Sequence, residues 1–158
     1  MLASPRCVTP LFMIACLLSI TTGCASVATT DSTANADARK FQPDPGMAGV
    51  YLCRGSGVFG DTLVAQTQLD GLDVGSLAPN TYLLLSVAPG HHTLGTVGPT
   101  NAEQLDLTAV AGNVYFYNVS IDWAGPMIRH RHIQPLSDAD GRKAVNSENR
   151  AVAATTNP

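Results

Sequence analysis

The sequence has few charged residues and no apolar run long enough to span a membrane. Charged side chains make up 13% of its 158 residues, with nine Lys and Arg scattered against twelve Asp and Glu. Binding to nucleic-acid phosphates needs clustered cations, so the composition argues against a nucleic-acid partner. The 14 Gly and 10 Pro favour a turn-rich β protein of one modest domain.

The chain also lacks the short motifs that mark common enzymes. It contains no Gly-x-Ser-x-Gly, no His-Glu-x-x-His and no P-loop. Residues 55–60 match Gly-x-Gly-x-x-Gly, but that motif binds a dinucleotide only where a helix follows, and residues 63–69 have the pattern of a strand. We interpret residues 55–60 as a glycine loop, and we predict no enzymatic activity and no cofactor.

Residues 1–23 have the pattern of a signal peptide. Arg6 and the amino terminus provide a positive n-region, and residues 8–20 are mostly apolar. This run is shorter than the roughly 20 residues of a transmembrane helix.

The Gly23-Cys24 pair that ends this segment looks like a bacterial lipobox. It predicts that the Cys24 thiol receives a diacylglycerol and the freed amine a further acyl chain, which together anchor a protein stably. Thr21 stands where lipoboxes prefer Leu, which leaves ordinary secretory cleavage open, and Cys16 is a weaker candidate. Because Ala25 rather than Asp follows Cys24, we expect the periplasmic face of the outer membrane if the source is Gram-negative.

The rest of the chain divides into a predicted tether, a domain and a tail. Residues 24–45, the lipidated cysteine and its successors, have almost no large apolar side chains before Phe41, so we predict a disordered tether with a root-mean-square span of roughly 25 Å. Residues 46–145 form the predicted domain, and residues 146–158 a disordered tail.

Cysteine is scarce in the predicted domain. Cys7 and Cys16 leave with the signal peptide and Cys24 is lipidated, so Cys53 remains alone. No internal disulfide is then possible, and we predict a buried Cys53.

The domain reads as a series of short strands separated by turn residues. Residues 81–97 are its clearest hairpin signal, with strands on both sides of Pro89-Gly90. We predict about seven antiparallel strands over residues 48–136, with no helix longer than about three turns. We predict an all-β fold class, a single antiparallel β-sandwich of immunoglobulin-like type.

The strand over residues 114–123 places several aromatic and aliphatic side chains on one face. An exposed aromatic face could stack sugars, but a face turned into the core is the commoner arrangement, and we predict the latter. The face consists of Tyr115, Tyr117, Val119, Ile121 and Trp123.

The four histidines occur as two pairs, His91 with His92 and His130 with His132. Zinc sites generally need three or four ligands, and nothing in the sequence shows that the pairs meet. We predict no metal site, and an edge strand at residues 127–136 guarded by charge.

The order of these short motifs resembles the DUF2846 family of bacterial lipoproteins and, more loosely, PEGA-type surface β-domains. The resemblance covers residues 48–145 and implies an all-β domain tethered to a membrane, with no catalytic residue or cofactor to transfer. The motifs are Val50-Tyr51-Leu52-Cys53-Arg54, Asp70-Gly71, Gly75-Ser76-Leu77, Asn80-Thr81-Tyr82, Val87-Ala88-Pro89-Gly90-His91-His92, Ala111-Gly112-Asn113-Val114-Tyr115-Phe116 and Asp140-Gly141-Arg142-Lys143.

These observations together predict a lipid-anchored envelope protein with a non-catalytic interaction module. We expect its partners to be the membrane, through the lipid at Cys24, and an envelope protein. The alternatives are a periplasmic ligand-binding lipoprotein, for a metal or a glycan, and a small envelope hydrolase.

Overall fold

The computed structural model describes residues 25–56, 63–98, 103–125 and 128–154, with side chains for all of these except residues 123–129. Among these residues no helix is long and apolar enough to cross a membrane. The elements in chain order are α1 (Ser32–Ala38), β1 (Ala48–Arg54), β2 (Ala65–Leu69), β3 (Leu72–Leu77), β4 (Thr81–Val87), β5 (Gly90–Val97), β6 (Gln104–Ala109), β7 (Val114–Gly125), β8 (Ile128–Pro135), α2 (Asp138–Ser147) and β9 (Asn149–Arg150).

The strands form two sheets that enclose the main core. One sheet has five strands in the order β8-β7-β1-β4-β9, and the other has four in the order β3-β2-β5-β6. Alternate side chains of β1, such as Val50 and Leu52, point to the other sheet and pack with Leu94 and Leu107. The chain is therefore an all-β sandwich, as predicted, and both helices stay within three turns.

Two strand pairs run parallel within sheets that are otherwise antiparallel. β1 is antiparallel to β4 but parallel to β7, with Gly49 opposite Val114 and Cys53 opposite Asn118. β4 and β9 are also parallel. Parallel neighbours need a long connection, and the chain between β1 and β7 provides it by forming β4 and the entire four-stranded sheet.

β4 and β5 are not a hairpin, so the hairpin prediction for residues 81–97 is wrong. β4 lies between β1 and β9, whereas β5 lies between β2 and β6 in the other sheet. Ala88, Pro89 and Gly90 carry the chain from one sheet to the other, and Gly90 has a φ of 144°, which favours glycine. The residues of a turn determine that the chain reverses direction, but they do not determine whether the two strands beside the turn pair with each other.

The turn at Asp70-Gly71 is confirmed as a hairpin connection between β2 and β3. Leu69 pairs with Leu72, and Asp70 and Gly71 have φ angles of 53° and 79°. Two successive positive φ angles match the type I′ turn, whose twist suits antiparallel strands.

A second core lies on the outer face of the five-stranded sheet, under the two helices. β1 therefore buries both its faces. Ala38 of α1 and Val145 of α2 cover the sheet from outside. The sheet contributes Tyr51, Cys53, Tyr82 and Phe116.

Helix α2 begins at a capped residue and rests on aromatic rings. The Ser137 side chain accepts a hydrogen bond from the Asp140 backbone N–H. Gly141, buried, lies directly against Phe116. The Arg142 guanidinium lies 4.5 Å from the centre of the Phe41 ring, a cation–π distance.

Residues 25–45 are packed against the domain, which contradicts the predicted disordered tether. The hydroxyl of Tyr51 donates to the Ala38 carbonyl at 2.6 Å, and that of Tyr82 donates to Asn35 Oδ1 at 2.6 Å. Phe41 packs into the second core. Composition misled because α1 docks through small side chains and through hydroxyls supplied by the sheet, and needs few large apolar residues of its own.

The predicted disordered tail is likewise wrong for residues 146–154. Within this segment β9 pairs with β4, Glu148 is only 3% exposed, and Ala151 is buried. Ala154 N donates to Val74 O at 3.0 Å, so the segment joins one sheet to the other. Backbone hydrogen bonds hold it, and those do not depend on side-chain hydrophobicity.

Candidate functional site

Cys24, the predicted lipidation site, lies outside the described residues. The structure does describe the chain from Ala25 onward, and there Val27 is partly buried and packs against the main core. The prediction of lipidation therefore stays a prediction.

His92 fastens the β2–β3 turn to the start of β5. Its Nδ1 lies 2.7 Å from Asp70 Oδ2 and its Nε2 lies 2.8 Å from the Ala88 carbonyl. Asp70 also accepts a hydrogen bond from Thr93 N at 2.8 Å. The hydrogen bond to Asp70 raises the pKa of His92, and the same bond lowers the pKa of Asp70. Both ring nitrogens are thus engaged in holding the fold.

The two histidine pairs lie at different places on the sandwich. His91 is the second residue of β5 and lies opposite Thr108. His132 contacts Glu103, which bonds to Thr96 near the other end of β5. No group of three or more metal-ligating side chains forms among the described residues.

His130 and His132 share one face of β8 with acidic neighbours. Their rings stack with centres 6.0 Å apart, and His132 Nδ1 lies 3.3 Å from Glu103 Oε2. Glu103 Oε2 also accepts from Ile133 N at 2.9 Å, so its carboxylate covers part of the strand edge. β8 is the edge strand that the sequence predicts.

A buried polar cluster that the sequence reading missed joins β1 to the end of α2. Arg54 is 3% exposed, and its Nη1 donates to the Leu63 and Leu77 carbonyls at 2.7 and 2.6 Å. Glu148 Oε2 accepts from Arg54 N at 3.3 Å, and burial raises the pKa of Glu148 to about 7. The only sequence signal was a charged residue at the end of an apolar strand.

Cys53 is buried beside this cluster, as predicted. It is 1% exposed, and burial raises the pKa of its thiol. A thiol in this environment stays protonated and is a poor nucleophile.

The aromatic stripe of β7 faces the core, as predicted, for every member whose side chain is described. Tyr117, Val119 and Ile121 are buried between the sheets, and Tyr115 is partly buried against them. The side chain of Trp123 lies outside the described residues.

The structure describes only the first two residues of the glycine loop at residues 55–60. Whether the loop could bind a dinucleotide depends on the segment that follows it. The structure describes this segment from Leu63, and it contains strand β2. The predicted strand is confirmed, and no helix follows the glycines at residues 63–69.

A candidate binding feature is an unpaired stretch of β4. β9 pairs only with Thr81 and Tyr82, and the Tyr82 carbonyl accepts from Ala151 N on that side. Backbone groups alternate along a strand, so those of Leu84 and Ser86 face the same side, where no described strand pairs with them. We call residues 84–86 the open edge.

Small cavities flank the open edge. One, about 170 Å³, is lined by the open edge and by Leu69, Val74, Ala153 and Ala154. The other, about 40 Å³, is lined by the open edge and by Gln42, Pro43, Asp44, Ala48, Gly49 and Tyr51. Both are below the roughly 300 Å³ at which small-molecule pockets begin, so each suits a side chain better than a whole ligand.

Comparison with known proteins identifies the family. The profile of the family described as "Protein of unknown function (DUF2846)" matches residues 44–130, more than half of the chain. The chain belongs to the DUF2846 family. The match takes in β1 to β7, whereas the motif Asp140-Gly141-Arg142-Lys143, used in the resemblance, lies beyond it.

The comparison with individual proteins found a distant relative. An uncharacterized protein of Haemophilus influenzae is 26% identical over 141 residues, which cover 89% of this chain and 81% of the relative. No solved structure matches the chain. The looser likeness to PEGA-type domains stays a prediction.

Proposed function

We propose that this DUF2846 protein is a lipid-anchored envelope protein that binds an extended segment of a protein partner along its open edge. Cys24 carries the lipid, and the domain works on the periplasmic face of the outer membrane. The domain is an interaction module and not an enzyme.

The anchor is supported by the order of features at the amino terminus. A positive n-region, an apolar run and the Gly23-Cys24 junction follow one another over 24 residues. A diacylglycerol on the thiol and an acyl chain on the amine supply the two signals that stable membrane attachment requires.

The binding mode is carried by the open edge. Leu84 and Ser86 offer two sets of backbone donors and acceptors, which an added strand could bond. Side chains of an added strand alternate between the two faces of the sheet, and the open edge has a cavity on each side. Backbone hydrogen bonds to the added strand would supply affinity, and the cavities would select which side chains that strand can carry.

Three groups that could perform chemistry are instead used to hold the fold together, which supports a non-catalytic module. His92 binds Asp70 and a carbonyl, Arg54 donates to two carbonyls, and the Cys53 thiol is buried. The described members of the aromatic stripe that might have stacked a glycan pack inward, which weakens the case for a glycan ligand.

The anchor is tested by Cys24→Ala. Wild-type protein should incorporate labelled fatty acid and stay with membranes in high salt, whereas the variant should take no label and accumulate as precursor or be released. Equal labelling of both proteins would contradict the assignment and direct attention to Cys16.

The binding mode is tested by a photo-crosslinking residue placed at Ser86 in living cells. Val110 provides the control, because it is 50% exposed but lies outside the open edge. We expect a discrete crosslinked protein from position 86 that position 110 does not give. Identical crosslinking patterns at the two positions would refute binding at the open edge.

A further inference from the structure

The segment directly after Cys24 is built into the sandwich. Val27 packs against the main core, and the segment pairs with the chain that follows β9. The pairing consists of Thr30 N to Arg150 O at 2.8 Å, Val152 N to Ala28 O at 2.9 Å and a bridge between Thr29 and Ala151. We call residues 25–30 and 151–154 the anchor-proximal edge.

Very little chain therefore separates the proposed lipid from the folded domain. Three residue steps lead from Cys24 to Val27, and a fully extended chain covers about 10 Å in three steps. The polar headgroup layer of one leaflet is about 5–8 Å thick, from the difference between total and hydrocarbon thickness. A chain attached at the inner boundary of that layer is just long enough to cross it before the domain begins.

The anchor-proximal edge has a surface suited to this position. None of residues 25–30 or 151–154 is charged, although the whole chain has a net charge of −3. Val152 is 50% exposed and lies beside Ala28, which is also exposed. An uncharged edge brings no negative side chain of its own into contact with anionic headgroups.

We propose that the anchor-proximal edge lies directly on the headgroup surface of the bilayer, so that the lipid holds the domain in one orientation against the membrane. This inference rests on the proposed lipidation of Cys24. The partner of this surface is the bilayer itself. The open edge would then lie close to the membrane as well, because Ala153 and Ala154 line the cavity beside it.

The test uses the lipidated mature protein, which begins at Cys24, in vesicles of phosphatidylethanolamine and phosphatidylglycerol that carry a nitroxide on some headgroups. A fluorophore is attached to Val152→Cys in one sample and to Val110→Cys in the other. Cys53 is 1% exposed, so the introduced thiol is the accessible one. The two labelled positions lie near opposite ends of β1. Val110 adjoins the β6–β7 turn, where Gly112 N bonds to Met47 O just before β1. Val152 follows Ala151, whose N bonds to the carbonyl of Tyr82, the partner of Cys53 near the other end of β1.

We expect strong quenching at position 152 and weak quenching at position 110. A flexible Gly-Ser insertion of about 16 residues between Ala25 and Ser26, with a span of roughly 22 Å, should abolish the difference while leaving the protein on the vesicles. Equal quenching at the two positions, or a difference that survives the insertion, would overturn the proposal while the anchor stands. If the wild-type protein takes up no labelled fatty acid and does not bind the vesicles, the anchor itself is overturned, and this inference with it.

Discussion

Replacing Gly141 by Ala should destabilise the domain, although local rules predict the opposite. Gly141 lies inside α2, where exchanging Gly for Ala ordinarily stabilises a helix by about 1 kcal/mol. In the structure, however, a Cβ at this position would lie 2.5 Å from Cδ1 of Phe116 and closer still to Cβ and Cγ of the same residue. Carbon atoms normally approach to about 3.5 Å, so the helix or the ring must move by about 1 Å.

Neither partner can move freely. The Phe116 ring stacks on Tyr51 with centres 5.1 Å apart and meets Phe41 edge-on at 5.8 Å. Overpacking a filled core costs about 1–3 kcal/mol, and contact with three atoms of a confined ring places this case near the upper end. After the gain in helix propensity, we expect the free energy of unfolding to fall by about 2 kcal/mol.

Urea unfolding followed by circular dichroism, on a chain that begins at Ala25, measures this change. Asn146→Ala is the matched control, because position 146 is exposed in the same helix and the substitution should be neutral or slightly stabilising. In a Phe116→Ala background, the cost of Gly141→Ala should shrink. Stabilisation by Gly141→Ala in the otherwise unchanged chain would refute the packing described for α2.

Two further predictions concern buried polar groups. Glu148→Gln should flatten the fall in stability between pH 4.5 and 7: burial raises the pKa of Glu148 to about 7, so the folded state holds a proton that the unfolded state releases, which costs at most about 3 kcal/mol above pH 7. Urea midpoints of both proteins at pH 5 and pH 8 check this, and parallel pH profiles would contradict it. Tyr51→Phe should cost about 1 kcal/mol, because it removes the 2.6 Å hydrogen bond to the Ala38 carbonyl that docks α1. An unchanged urea midpoint would mean that this hydrogen bond contributes nothing to stability.

Local patterns in the sequence were sufficient for most of the strands. Alternating or continuous apolar runs predicted about seven strands where the structure has β1 to β8, and Asp70-Gly71 predicted its hairpin, because both signals depend on neighbours within a few residues. Burial of Cys53 and the inward face of β7 followed from the same patterns.

The candidate site was much less predictable. The open edge exists because β9 covers only Thr81 and Tyr82 and then leaves toward Val74. Nothing in residues 84–86 indicates this, since an edge is defined by the strand that is missing beside it. The cluster of Arg54 and Glu148 joins residues 94 positions apart, which no local pattern can report.

The sequence by itself determined that the chain folds as an all-β sandwich and where most of its strands lie, because apolar periodicity and turn chemistry act over short distances. Only the tertiary structure decided which strands are neighbours, that β4 and β5 separate into different sheets, and that residues 25–45 and 146–154 belong to the domain. Those outcomes depend on backbone hydrogen bonds and on contacts between distant segments, such as Tyr51 with Ala38. A prediction from composition considers only the side chains of the segment itself, whereas these segments are held by groups that other parts of the chain supply.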